Sequence, residues 1–221
     1  METIEYSGKT FYFNETPTLP YLLREIFSDN YCIFRRGVEF ADGDIILDIG
    51  ANEGIFSIMM AKMFPKVRVI ALEPIPRTFF QMMRNIGANG VSNVEPYQLG
   101  IGKPGEVCQH FNVHNQFSGG SSAVDTFDPV NHSKVTADVI SLDEAFKVFK
   151  IPRAKLMKMD IEGGEYIALY NSTVLTRVDN FVGEFHINER LKSQGYDINE
   201  LATFVSSKTN LIHYDSCKMA E

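Results

Sequence analysis

Five side chains able to do chemistry fall at one kind of place in this sequence, the carboxyl ends of apolar runs. Asp48 sits within IILDI, Glu73 closes VRVIALE, Asp160 follows KLMKM, and Glu184 and His186 end NFVGEFH. Carboxylates accept hydrogen bonds from hydroxyls and attract cationic groups. An imidazole takes or gives a proton near neutral pH. In open α/β sheets, ligands bind in the crevice outside the carboxyl ends of the strands. The pattern points to one acidic pocket for a hydroxyl-rich, partly cationic ligand, with groups beside it that can move a proton.

The elements that must position these residues begin with IILDIGANEGIFSIMMAKMF, residues 45–64. The short β-branched run suits a strand covered on both faces. Gly50 and Gly54 bracket a turn, and Gly50 can take backbone angles closed to other residues. Asn52 is expected to cap the following helix. Ile55, Phe56, Ile58, Met59 and Met63 recur at helical spacing, and Pro65 ends the segment. A nicotinamide or flavin site wants G-x-G-x-x-G. Here Asn52 stands where the second glycine belongs, and the pattern is G-x-x-x-G. An acid two residues before the first glycine suits a cationic amino group better than a pyrophosphate. Glu73, followed by Pro74, can accept from both hydroxyls of a ribose. The glycine turn alone fits an ordinary strand–turn–helix; with Glu73 added, the spacing favours S-adenosylmethionine over a dinucleotide.

Bulk properties agree with an enzyme domain. The 221 residues are enough for one α/β domain with a sizeable core. Residues 1–40 read as a hairpin and helix lead-in, and 41–221 as the main domain, with an insertion over 101–140. A net charge of −7 argues against a broad nucleic-acid surface. Cys32, Cys108 and Cys217 are far apart and odd in number, which fits a reducing compartment. No apolar run is long enough to cross a bilayer, and METIEYSGKT is not a signal peptide, so the cytoplasm is the expected location.

Residues 4–13 are expected to form a hairpin around Ser7-Gly8-Lys9, and 18–28 a helix with Tyr21, Leu22, Ile26 and Phe27 along one stripe, packed beside the pocket mouth. Pro76 opens a helix ending near Gly87 to Gly90. Its stripe of Phe79, Phe80, Met82, Met83 and Ile86 reads as core. VEPYQLG, 94–100, reads as a third strand, with Leu99 and Gly100 beside the adenine position. Over 101–140 the alternation breaks: GEVCQHFNVHN and KVTADVISL read as strands around a polar loop expected to shape specificity. His110 and His114 share a strand face, but with no third ligand they read as surface or loop contacts rather than metal ligands. Ser141 and Glu144 have capping-box spacing before a helix over 141–149. Gly163-Gly164 turns into a helix carrying Tyr166, Ile167 and Leu169. One helix (NELATFVSS) and one strand (NLIHYDS) follow residue 198.

DIGANEGIFSI, ALEP, SLDEAF, KMDIEGGEY and the late EFH, spanning roughly residues 40–190, resemble the FkbM family of S-adenosylmethionine-dependent methyltransferases. The resemblance implies an α/β, Rossmann-like class I methyltransferase fold, a mostly parallel doubly wound sheet, here with a β-rich insertion between strands 3 and 4. It also implies O-methylation of a hydroxyl on a small molecule, polyketide or sugar. By that likeness Asp48, Gly50, Asn52 and Gly54 line the methionine part of the cofactor and Glu73 holds the ribose. Pro74, Gly100, Asp160 and Glu162 are expected to complete the cofactor pocket. Family members complete the sheet with a terminal antiparallel pair. Here one strand is expected to be absent, as in a domain cut from a longer chain or a trimmed member. The family offers no single agreed base.

Methyl transfer from a sulfonium is an in-line displacement, so alignment supplies much of the rate, and a hydroxyl acceptor must lose its proton. Asp160, Glu162, Glu184 and His186 are the candidates, with His186, Asp160 and Glu184 assigned as catalytic and His186 best matched by its unperturbed pKa. Lys158 is expected to pair with Asp160 or Glu184. Asp160 and Glu184 offer hard oxygens of the kind Mg²⁺ prefers, but no metal is assigned. No N-P-P-Y motif follows the fourth strand, which disfavours base amino groups as acceptors. The expected partner is a small hydroxyl-bearing molecule. An RNA ribose or protein acceptor, a cofactor-binding domain without activity, and a nicotinamide oxidoreductase are the alternatives.

Overall fold

The computed structural model describes residues 1–28, 33–34, 36–119, 121–123 and 128–218. Cys32 and part of the 117–133 loop lie outside them. Strands β1 (Glu2–Tyr6) and β2 (Lys9–Phe13) form the expected antiparallel hairpin. Ser7 and Gly8, with φ of 49° and 73°, make a turn of the kind that matches strand twist. Helix α1 (Leu19–Ser28) follows.

The main sheet then builds by strand–helix alternation: β3 (Ile45–Ile49), α2 (Ile55–Met63), β4 (Arg68–Leu72), α3 (Pro76–Asn89) and β5 (Val94–Tyr97). The insertion holds β6 (Gly100–Gly102), β7 (Cys108–His114) and β8 (His132–Ser141). The chain returns through α4 (Leu142–Val148), β9 (Ala154–Met159), α5 (Glu165–Tyr170), β10 (Val178–Ile187), α6 (Glu189–Ser193), α7 (Ile198–Ser206) and β11 (Asn210–Lys218). The six main strands lie in the order β11-β10-β9-β3-β4-β5, every pairing parallel. This is a Rossmann-like, doubly wound sheet. It has a separate core on each face: Leu47 and Ile49 belong to one cluster, Ile46 to the other. Strands are added to one side of β3 first (β4, β5) and then to the other (β9, β10, β11), so the strand order reverses between β3 and β9, where such sheets bind ligands.

The structure departs from the sequence reading at four places. Asn52 does not cap α2; Gly54, at φ 80°, occupies the N-cap position and makes no side-chain cap bond, while Asn52 itself has φ 51°. VEPYQLG does not stay in one sheet: β5 joins the main sheet, and β6 pairs with β8 in the insertion. On α3, Met82 and Ile86 are buried, but Phe80 is 65% and Met83 43% exposed, so the stripe is narrower than the apolar residues suggest. Finally, β11 lies directly beside β10 and parallel to it, so among the described residues the main sheet contains no antiparallel pair. The capping box of Ser141 and Glu144 on α4 is present as expected. No helix among the described residues is long and apolar enough to cross a membrane.

Candidate active site

A crevice of about 660 Å³, counting its open mouth, lies over the carboxyl ends of β3, β4 and β9, with the insertion as its far wall. Gly50, Asn52, Glu73, Pro74, Gly100, Asp160 and Glu162 all line it, joined by Leu99, Ile101 and Phe111.

Local geometry explains how these residues meet. Gly50 has φ 74°, and a Cβ there would stand 1.8 Å from the Asp160 carbonyl oxygen, so only glycine lets the two strand ends approach. The Asn52 amide donates to Glu73 Oε2 at 3.0 Å and the Ile75 amide to Oε1 at 2.9 Å. Burial pushes the Glu73 carboxyl up to about 7, although both amides favour its charged form. Asn52 and Glu162 both have left-handed backbone, φ 51° and 53°. Asn tolerates this; for Glu it is strain of the kind found where ligands bind. The Glu162 carbonyl is held by Ser122 Oγ at 2.5 Å.

Four of the expected residues do not reach the crevice wall. Asp48 is fully buried beneath the turn, accepting from Ser57 Oγ at 2.6 Å, with its other oxygen 3.7 Å from Lys158 Nζ. Burial raises its pKa, and Lys158 and Ser57 offset this only in part. Gly54 serves packing instead: a Cβ there would meet Met82 Cγ at 2.7 Å, so glycine lets α2 and α3 close together. Glu184 and His186 stand behind Asp160. Lys158 Nζ donates to the Gly50 carbonyl at 2.8 Å and lies 3.5 Å from Asp160 Oδ2. It therefore pairs with Asp160, as expected, and with Asp48. Burial opposes its charge, but Asp160 and Asp48 prevail and raise its pKa.

The His186 ring is enclosed by carboxylates. Nδ1 lies 3.1 Å from Glu165 Oε1, and Nε2 lies 3.4 Å from Glu162 Oε2 and 3.5 Å from Glu184 Oε2. Burial works against protonation, but Glu165, Cys217 and Glu162 outweigh it and raise the pKa. The ring thus sits among carboxylates that favour its protonated form. Glu184 is pushed up to about 7 by burial and then by the neighbouring Asp160 charge.

Two acids escaped the sequence reading. Glu165, fully buried, accepts from the Ile161 and Gly163 amides as well as meeting His186. Its place in the first turn after Gly163-Gly164 was the available signal. Glu53 is also buried. It accepts from Thr16 Oγ1 at 2.8 Å and Ser118 Oγ at 3.0 Å, clasping lead-in and insertion to the glycine turn. Its partners are remote in sequence, so no local pattern marks it. Helix α1 sits at the mouth, with Tyr21 edge-on to Phe117 and Glu25 beside Asp160 and Glu184. His110 lies 2.8 Å from Thr136 Oγ1, and His114 Nδ1 accepts from the Gln116 and Phe117 amides. Among the described residues neither joins a three-ligand cluster.

The sheet order and the crevice define a class I methyltransferase fold. Residues 48–209 match the family described as the methyltransferase FkbM domain, and the chain belongs to that family. It is 29% identical over 143 residues to Methyltransferase 1 of Beauveria bassiana, covering 57% of each chain. It is 43% identical over 65 residues to the 31-O-demethyl-FK506 methyltransferase FkbM of Streptomyces tacrolimicus, covering 29% of this chain and 25% of that one. It is 27% identical over 145 residues to the hexuronic acid methyltransferase AglP of Haloferax volcanii, covering 65% and 56%. The matches thus span little more than half, or less, of these relatives.

Proposed function

We propose that this chain is an S-adenosylmethionine-dependent methyltransferase acting on a hydroxyl of a small molecule or sugar. One observation carries the reading: the described residues of the crevice wall include Glu73, Asp160 and Glu162 but no lysine or arginine. A pyrophosphate would meet like charge there. A sulfonium, an amino group and a ribose diol would meet acceptors.

The residues present fit that cofactor. Each Glu73 oxygen accepts one amide, which leaves lone pairs for ribose hydroxyls. The buried Asn52 Oδ1 has no hydrogen-bond partner and can accept from an ammonium. Leu99, Ile101 and Phe111 give apolar surface for an adenine ring. When bound, the cofactor supplies an electrophilic methyl group on sulfur.

The chain's own work is to align the acceptor, exclude water and take a proton. Of Asp160, Glu184 and His186, Asp160 is the one on the crevice wall, so its carboxylate is assigned the acceptor proton. Lys158 holds that carboxylate in place, and His186 stands behind it among Glu162, Glu165 and Glu184. The names of two relatives, a 31-O-demethyl-FK506 methyltransferase and a hexuronic acid methyltransferase, support an oxygen on a small molecule or sugar. The net charge of −7 argues against nucleic acid, and the free thiols of Cys108 and Cys217 support a cytoplasmic setting. Incubation with methyl-labelled cofactor and a panel of sugars and hydroxylated small molecules is expected to place label on oxygen. Label found only on RNA or protein would overturn the small-molecule acceptor.

A further inference from the structure

Strands β10 and β11 bring together three unlike ligand atoms that the methyl-transfer reading does not use together. Glu184 and His186 share one face of β10, and Cys217 of β11 lies opposite His186 in the parallel register. Cys217 Sγ is 3.0 Å from Glu184 Oε2, and that oxygen is 3.5 Å from His186 Nε2. The ligand atoms of all three residues lie within 4.8 Å of one another. We propose that Glu184, His186 and Cys217 form a binding site for a zinc-class divalent cation, one that pins the edge strand β11 to the carboxyl end of β10.

Size supports the assignment. Tetrahedral zinc with bonds of about 2.0–2.3 Å sets its ligand atoms roughly 3.3–3.7 Å apart. The separations of 3.0 Å for Cys217 to Glu184 and 3.5 Å for His186 to Glu184 need only small side-chain adjustments to meet that. Orientation supports it independently. The fully buried Glu165 contacts His186 Nδ1 at 3.1 Å and is itself fixed by two backbone amides. This is the carboxylate–histidine arrangement that turns the other ring nitrogen toward a metal and raises its basicity.

The donor set selects the ion. A thiolate, an imidazole and a carboxylate suit Zn²⁺, whereas Mg²⁺ prefers oxygen throughout. Three protein ligands leave a fourth position for water. None of the three residues lines the crevice, so the site stands whether or not the methyltransferase reading does.

The test is titration of the purified protein with Zn²⁺ against a chromophoric chelator, and with Co²⁺ while following the near-ultraviolet thiolate-to-cobalt band. One equivalent of each is expected, with the band present and a higher melting temperature. Cys217→Ser should abolish the band and weaken zinc binding at least about tenfold, and Glu165→Gln, which keeps all three ligands, should weaken it about 10–100-fold. Circular dichroism confirms that each variant folds, and Glu184→Gln serves if either does not. Failure of the wild-type protein to take up one equivalent, uptake unchanged by Cys217→Ser, or displacement of Zn²⁺ by equimolar Mg²⁺ would each overturn the proposal. Calorimetry with S-adenosylmethionine on the same samples reports separately on the cofactor crevice.

Discussion

Lys158 Nζ, at the end of β9, donates to the Gly50 carbonyl of the glycine turn at 2.8 Å. The same ammonium, almost wholly buried, faces Asp48 at 3.7 Å and Asp160 at 3.5 Å. One cation therefore joins two strand ends and lies between their two acids. Removing one member of a buried pair leaves the other charge uncompensated, at a cost of about 3–5 kcal/mol. Lys158→Met is expected to lose that much stability in urea unfolding at neutral pH. A loss below about 1 kcal/mol would show that Asp48 does not need its partner.

Two glycines separate close approach from simple chain flexibility. Gly50→Ala would put a methyl 1.8 Å from the Asp160 carbonyl at φ 74°, and is expected to unfold the domain or cost more than about 4 kcal/mol. Gly87, inside α3, has open space around its Cβ position. Gly87→Ala should gain up to about 1 kcal/mol through helix propensity. Thermal melts of both variants check the pair, and equal effects would contradict the packing described.

Glu73 sets a pH dependence whose sign can be worked out. Its pKa is raised on folding, from 4.5 to about 7. The folded chain thus binds this proton more tightly, and the stabilisation present at low pH fades as pH rises through that window. Cofactor affinity runs the other way, because the ionised carboxylate is the better acceptor for a ribose diol. Affinity should climb toward tenfold per pH unit below about 7 and level off above it. Glu73→Gln should flatten the profile and weaken binding; a profile unchanged by the substitution would remove Glu73 from the ribose site.

Asp160→Asn keeps the shape of the crevice wall and removes the proton acceptor. Turnover is expected to fall about 10²–10⁴-fold, with cofactor affinity changed by far less. A parallel loss in both would make Asp160 a binding residue only.

Much of this site was legible in the sequence because it depends on local patterns. The acids at strand ends, the G-x-x-x-G turn, Pro76 at the start of α3 and the Ser141 capping box each declare themselves within a few residues. What was not legible depends on contacts between distant segments. Asp48 reads as a pocket residue by position, yet Ser57 and Lys158 draw its carboxyl beneath the turn. Gly54 reads as a ligand contact, yet Met82 is what it makes room for. His186 reads as a base from its ordinary pKa, and only the three carboxylates that surround it, brought from other parts of the chain, push that pKa upward. Glu53 and Cys217 matter through partners on other elements, so no periodicity could find them.

Titration calorimetry with S-adenosylmethionine, S-adenosylhomocysteine and NAD tests the central claim most directly. The acidic crevice predicts one-to-one binding of the first two, abolished by Glu73→Ala, and no heat from NAD. Selective binding of NAD, or binding of the methyl donor unaffected by Glu73→Ala, would contradict it.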